Sequence, residues 1–224
     1  MILINNIQNL EICFYIIYPN RYNTINKSFK RMPKKIRLRY VLLVIVIVVV
    51  AVFFLNRSSD IQVDANMGAC EILDQNHSWK SSLKKAQDKY NLPPAFAMGL
   101  IYQESRFDAE AKSNYSTAYG YAQAINSTWK HFQDEVKSNA KRNNFDDSVQ
   151  FIGWYMSQLA KSLKLNISDS ENLYMAYMLG ATGFKRYKAG TFKNKAKIEE
   201  DKNIANKVKA YTTLYKSQLK DCKI

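Results

Sequence analysis

The run Gly99–Gln123 reads G-L-I-Y-Q-E-S-R-F-D-A-E-A-K-S-N-Y-S-T-A-Y-G-Y-A-Q, and Glu104 closes an otherwise apolar stretch made of Ala95, Phe96, Ala97, Met98, Leu100, Ile101 and Tyr102. A carboxylate carried into such surroundings loses hydration, which disfavours its charged form and raises its pKa. The C-terminal end of a helix, where the macrodipole is negative, acts in the same direction. Together they describe a carboxylic acid able to donate a proton near neutral pH. The plainer alternative is a glutamate at the rim of a core helix, pointing into water. Asp108 and Glu110 are the nearest other acids. If the helix continues, Asp108 stands one turn beyond Glu104 and supplies a second carboxylate; otherwise both are solvated loop acids.

Other catalytic chemistries have little to work with. The chain holds two histidines, His77 and His131, and no Cys/His cluster at metal-ligand spacing, so no zinc site and no cofactor is expected.

The elements that must position Glu104 read as helices. Glycine is scarce, and no run alternates cleanly with a period of two. Ser78 is a candidate cap for a helix striped by Trp79, Leu83, Ala86 and Tyr90. Asn91-Leu92-Pro93-Pro94 ends it and starts the next, with proline suited to a first turn. That second helix, running to Ser105 or Phe107, is apolar nearly all round and is expected to be the central buried one. Residues 108–119 form a loop. Ser127-Thr128 opens a helix with Trp129, Phe132 and Val136 inside, and Asp146-Asp147 caps one carrying Val149, Ile152, Met156, Leu159 and Leu163. A short helix from Ser170 through Tyr174, Ala176, Tyr177 and Leu179 is closed by Gly180. The last helix carries Ile204, Val208, Tyr211, Tyr215 and Leu219 and leads to Cys222. This is an all-α domain, and its length is sufficient for a real core.

Ahead of it, Tyr40–Leu55 is the only long uninterrupted apolar run in the 224 residues. As a helix it is somewhat short of a hydrocarbon core of roughly 30 Å, a gap that Arg39 and Arg57 can close by snorkelling. A cleaved signal peptide is the alternative. Its nearest small-x-small site, Val63-Asp64-Ala65, lies too far downstream, and the lipoprotein-like Met67-Gly68-Ala69-Cys70 is further still. The expected organisation is a basic cytoplasmic segment (1–39), a transmembrane signal-anchor (40–55), a polar tether (56–68) and an exported domain (69–222). Residues 1–31 form no domain; they are a short cytoplasmic tail, or the chain starts at Met32. Of the formal net charge of +14, about half sits before the apolar run, which places that side in the cytoplasm. The remainder is modest and spread out. It suits an anionic polymer or a membrane surface, and no compact basic patch with interleaved aromatics points to nucleic acid. Cys13 falls on the cytoplasmic side. Cys70 and Cys222 bracket the exported part, where an oxidising compartment favours a disulfide between them; two buried free thiols are the alternative.

Three motifs, I-Y-Q-E-S-R-F-D, A-Y-G-Y-A-Q and L-Y-M-A-Y-M-L-G, occur in order. Together they resemble the soluble lytic transglycosylase (SLT) domain of the goose-lysozyme-like glycoside hydrolases, over roughly residues 69–222. The resemblance implies a lysozyme-like helical fold behind the N-terminal transmembrane helix. It also implies cleavage of the β-1,4 bond between N-acetylmuramic acid and N-acetylglucosamine in peptidoglycan, with 1,6-anhydro ends as products. Glu104 would be the single catalytic acid/base. Ser113 matches a serine that touches the sugar near the cleaved bond, and Gln123 matches the Gln of the family's G-L-M-Q motif in the substrate groove. Tyr119, in the loop before Gly120, joins them as a substrate-binding residue. Tyr177 matches the Tyr of A-Y-N, close to the acid, with Glu104 the expected partner of its hydroxyl. Three departures stand out: Tyr121-Ala122 replaces Leu-Met, Met178 replaces Asn, and Asn114–Tyr119 replaces a Gly-containing loop. The last two leave room for a rival reading, a catalytically weak wall-docking module serving an envelope-spanning machine. The partners expected are peptidoglycan strands and the inner membrane, with the domain on the extracytoplasmic side.

Overall fold

The computed structural model describes residues 33–55 and 68–222. Two compact units divide near Ser59. Cys13, Met32, Arg57 and most of the expected tether lie outside the described residues.

In the first unit, α1 (Lys34–Leu55) joins the basic residues and the apolar run in one helix. The amide of Ile36 donates to the Pro33 carbonyl at 2.9 Å and opens it. The large apolar side chains from Leu42 to Val50 are all exposed. Among the described residues no helix is long and apolar enough to cross a membrane; the uninterrupted run Tyr40–Leu55 falls short of the ~20 residues that span a bilayer unaided.

The second unit is all-helical among its described residues: α2 (Ala69–Gln75), α3 (His77–Tyr90), α4 (Pro94–Ser105), α5 (Asn126–Val136), α6 (Phe145–Leu163), α7 (Ser170–Lys188) and α8 (Lys195–Gln218). Pro94 occupies the first turn of α4, and Ala95 through Tyr102 are all buried, so α4 is the central helix its composition predicts. The long helix α8 lies along it. They meet closely at Gly99, where a Cβ would stand 3.0 Å from both the backbone nitrogen and the hydroxyl of Thr212. Helices α3 and α6 pair beside them, and α7 packs on both α6 and α8.

Several helix ends differ from the sequence reading. Ser78 lies inside α3, whose cap is Asn76. The reason is α2, seven residues long, too short to show a helical period. Asp146 and Asp147 fill the first turn of α6, while the Asn144 side chain accepts from the Asp147 amide as the cap. Asp169 does the same for α7 at the Asn172 amide. Gly180 does not close α7. Its backbone leaves the helix (φ 69°, ψ 165°) and the helix resumes to Lys188, a kink that glycine accepts without a Cβ penalty.

Cys70 and Cys222 form a disulfide, with Cα atoms 5.2 Å apart. Beside it the amide of Ala69 donates to Gln218 Oε1 at 2.9 Å. The first short helix is thereby fastened to the end of the last.

Candidate functional site

Helix α4 stops abruptly after Glu104 and Ser105. Arg106 and Phe107 both adopt left-handed backbone (φ 55° and 62°), which costs about 1–3 kcal/mol per non-glycine residue and persists only where packing dictates it. Here the Phe107 ring lies 5.7 Å from Trp79 and 6.4 Å from Tyr215, centroid to centroid. The Arg106 guanidinium covers the Tyr102 ring at 4.2 Å and donates to the Tyr102 carbonyl at 2.6 Å. These contacts fix the last turn of α4, and with it the direction of Glu104.

Glu104 is half-buried. Tyr174 of α7 donates its hydroxyl to Glu104 Oε1 at 2.7 Å. Burial raises the Glu104 pKa to about 7, and the Tyr174 hydrogen bond, which favours the carboxylate, offsets only part of the rise. The hydroxyl of Tyr174 is itself pushed far up, by burial first and then by the Glu104 charge, so it stays a neutral donor. The group can therefore give and take a proton near neutrality.

The tyrosine on the acid is not the one expected. Tyr177 donates to the Ala122 carbonyl instead. Tyr174 and Tyr177 share one face of α7 at i, i+3, their rings stacked at 6.1 Å. The sequence places both near Glu104 but does not say which hydroxyl reaches it. Tyr177 remains close, since the Glu104 charge adds to the burial that drives its pKa up. Its bond to Ala122 ties α7 to the loop before α5. Met178, where the resemblance has Asn, packs against the core.

That loop is a small irregular hairpin with bridges pairing Lys112 with Tyr119 and Tyr119 with Ala124. Ser113, partly exposed, accepts at Oγ from the Tyr115 amide at 3.1 Å. Gln123 sits at φ 47° and donates Nε2 to the carbonyls of Ala111 and Gly120, both at 2.9 Å, so its amide nitrogen holds the turn. Tyr119 donates to Glu110 Oε2 at 2.6 Å. Burial and then Glu110 push its pKa up to about 12. Glu110 also accepts from Asn143 Nδ2 at 2.8 Å; it is the exposed loop acid expected, and it fastens the loop as well. Asp108 accepts from the Glu110 amide at 2.8 Å. Because α4 ends at Ser105, Asp108 does not stand one helical turn beyond Glu104.

Arg142, which no motif singled out, pins the hairpin from outside. Its Nη1 donates to the carbonyls of Thr117 and Ala124 at 2.7 and 2.9 Å, and its own carbonyl accepts from the Tyr121 amide at 3.2 Å. Gly120 lies against that same carbonyl at φ 74°, and a Cβ there would stand 2.1 Å from the Arg142 oxygen. Gly120→Ala is therefore expected to destabilise the domain by about 1–3 kcal/mol, read as a lower midpoint in urea unfolding. Among the described residues no cluster of His, Cys, Asp and Glu could hold a metal ion.

A family model described as "Transglycosylase SLT domain" matches residues 42–222, most of the chain. The chain belongs to that family. Membership in the SLT family indicates a transglycosylase-type enzyme of peptidoglycan, and the helical unit carrying Glu104, Tyr174 and the hairpin lies inside the matched span. The match begins within α1, so the SLT family model takes in part of the apolar helix as well. No curated protein is similar enough to the chain to count as a match.

Proposed function

We propose that this SLT-family protein is a lytic transglycosylase that cleaves the β-1,4 bond between N-acetylmuramic acid and N-acetylglucosamine without water, with Glu104 as its acid/base. The observation that carries the proposal is the single carboxyl at the end of α4, held by Tyr174 and poised at about 7. Neutral Glu104 protonates the departing glycosidic oxygen. The acetamido group of the substrate stabilises the developing positive charge, a substrate-assisted route. Glu104, now a carboxylate with Tyr174 donating to it, takes the proton of the C6 hydroxyl as that oxygen attacks the anomeric carbon of the same sugar. The intramolecular nucleophile gains by proximity, and the product carries a 1,6-anhydro ring. Ser113, Tyr119 and Gln123 belong to the loop that borders the substrate groove, and Tyr177 fixes that loop to α7.

In this reading helix α1 anchors the domain in the inner membrane although its apolar run is short, with Arg39 snorkelling to make up the span, its basic start on the cytoplasmic side and the Cys70–Cys222 disulfide outside. Its support is the 22-residue helix with exposed apolar side chains from Leu42 to Val50 and the basic residues at its start, Lys34, Lys35, Arg37 and Arg39. The spread of positive charge over the domain helps hold a glycan bearing anionic stem peptides. Release of soluble muropeptides from purified sacculi, compared with Glu104→Gln, tests the enzyme reading. Binding without release by the wild type would favour the docking-module alternative that Met178 keeps open. Flotation of the full chain with vesicles tests the anchor, and a protein left entirely in the aqueous fraction would exclude it.

Tyr174→Phe removes the hydrogen bond from Tyr174 that favours the Glu104 carboxylate. A hydrogen bond to a charged group is worth about 1.5–3 kcal/mol. The variant is therefore expected to lose ~10–100-fold in kcat, and the alkaline limb of its pH profile should move upward. Unchanged kcat would remove Tyr174 from the account.

A further inference from the structure

The positive charge of the helical domain is densest at one end. From Asn172 to Ile198 the chain has no Asp or Glu, yet it carries Lys185, Arg186, Lys188, Lys193, Lys195 and Lys197. All of them are exposed. Lys197 meets Asp201 at 2.9 Å; the others make no ion pair among the described residues. Near in sequence, they are also held together by the fold. The last turn of α7 holds the first three. The Thr191 amide returns to the Arg186 carbonyl at 3.0 Å, and Phe192 folds back to 3.9 Å from where a Cβ on Gly183 would stand. Asn194 then caps α8 at the Lys197 amide, 3.0 Å away, and Lys195 is the first residue of that helix.

Folding does not account for all of these charges. Cations at the end of α7 suit the negative pole of that helix. At the start of α8 the pole is positive and the first turn holds no acid, so Lys193 and Lys195 work against the helix they introduce. Lysines kept there against the stability of the helix point to an anion outside the chain. The side chains around them indicate which kind. A membrane-surface or single-stranded nucleic-acid site sets exposed apolar or aromatic side chains among its cations. Here Tyr187 and Phe192 are half-buried, and the large apolar residues exposed on this domain, Tyr115, Ile125 and Leu214, lie elsewhere in the chain. Bidentate recognition of phosphate favours Arg. Of the cations without an ion pair all but Arg186 are lysines, mobile point charges that suit carboxylates on flexible arms.

We propose that the α7–α8 turn and the helix ends beside it form a second contact for peptidoglycan, outside the groove, which holds the carboxylates of its stem peptides. One helix links the two places. Tyr174, the partner of Glu104, precedes Lys185 on α7 by a path of ~16 Å of helix, with the Gly180 kink between them. A strand seated at Glu104 and several sugars long spans that distance. The basic end then retains the polymer between cleavages and takes no part in the chemistry. This rests on the reading of the SLT domain as acting on peptidoglycan, and it is tested by binding, without turnover.

The experiment is co-sedimentation of the full chain, in neutral detergent micelles, with purified sacculi, in a Glu104→Gln background so that nothing is digested. Changing Lys185, Arg186, Lys188, Lys193 and Lys195 together to Gln is expected to weaken binding by ~10-fold or more at low salt. The difference should vanish near ~1 M salt, where screening acts within ~3 Å. As many exposed lysines neutralised elsewhere, Lys89, Lys137, Lys161, Lys216 and Lys220, should weaken it less than ~2-fold. Sacculi with amidated peptide carboxyls should bind the parent protein as weakly as untreated sacculi bind the basic-end variant. Unmoved binding in that variant overturns the proposal, as does an equal loss in the control, which would make net charge alone the cause. A difference between parent and variant that survives amidation also overturns it, and the same difference on beads bearing phosphatidylglycerol headgroups would then assign the surface to a lipid. If the variant fails to fold, Lys193→Gln with Lys195→Gln decides: weakened binding supports the proposal and unmoved binding overturns it. With Glu104 restored, the basic-end changes should raise KM for sacculi and leave kcat. Absence of turnover in the wild type would overturn the enzyme reading, a separate result from the binding.

Discussion

In Glu104→Gln, muropeptide release is expected to fall by ~10²–10⁴-fold or more, the range that a positioned general acid contributes, while the folded domain becomes more stable above neutral pH. Both effects have one cause. In the folded protein burial lifts Glu104 to about 7, whereas in the unfolded chain it titrates as an ordinary glutamate near ~4.3. Between those values the native state holds a proton that the unfolded state has lost, so stability declines as pH rises through this window. Above the folded pKa the full penalty is present, of order 1–3 kcal/mol once partial exposure of the side chain is allowed for. Glutamine carries no such penalty. The unfolding midpoint of Glu104→Gln should therefore exceed that of the wild type at about pH 8 and approach it at about pH 4. A variant that lost activity but gained no stability at the higher pH would mean that Glu104 is not held as a neutral acid.

Loss of the Cys70–Cys222 disulfide is expected to have the largest effect on stability alone. The bond closes a loop with a sequence separation of 152 residues. In the chain-entropy model such a loop contributes about 5 kcal/mol, and native strain commonly reduces the gain. The bond also holds α2 against the end of α8 beside the Ala69–Gln218 hydrogen bond. Cys70→Ser with Cys222→Ser should lower the urea midpoint strongly, and reduction of the wild type should reproduce the shift. Glu104 and Tyr174 sit on α4 and α7, not on the bridged helices, so the residual folded fraction should keep part of its activity. A double variant as stable as the wild type would show that these cysteines contribute nothing to the fold.

The central helix and the position of the acid were legible in the sequence for a local reason. Within a run of amphipathic helices, the short one that is apolar on every side takes the centre, and the carboxylate at its end stands out against it. The disulfide was legible from where its two cysteines fall in the chain. Helix ends were less so. Ser78 and Asp146-Asp147 are capping residue types, yet Asn76 and Asn144 occupy the caps, because a preceding short helix in one case and a register two to three residues earlier in the other decide the outcome. Gly180 signals a stop, but a chain can also kink there and resume its helix, and only tertiary packing of the residues beyond the glycine decides between the two. The tyrosine on Glu104 is a tertiary fact: Tyr174 and Tyr177 lie on one helix face, and the hairpin carbonyl of Ala122 takes the second hydroxyl and leaves the first for the acid. Arg142 was invisible for the same reason, since it belongs to no local pattern and acts across the fold.

The most direct test of the account is digestion of purified sacculi by the full chain in water enriched in oxygen-18, with the released muropeptides weighed by mass spectrometry. Transfer to the sugar's own C6 hydroxyl predicts products lighter than hydrolytic ones by a water, without the heavy label, and absent with Glu104→Gln. Reducing-end products carrying oxygen-18 would mean that water is the nucleophile and that a second group activates it, contradicting a single-acid, water-free cleavage.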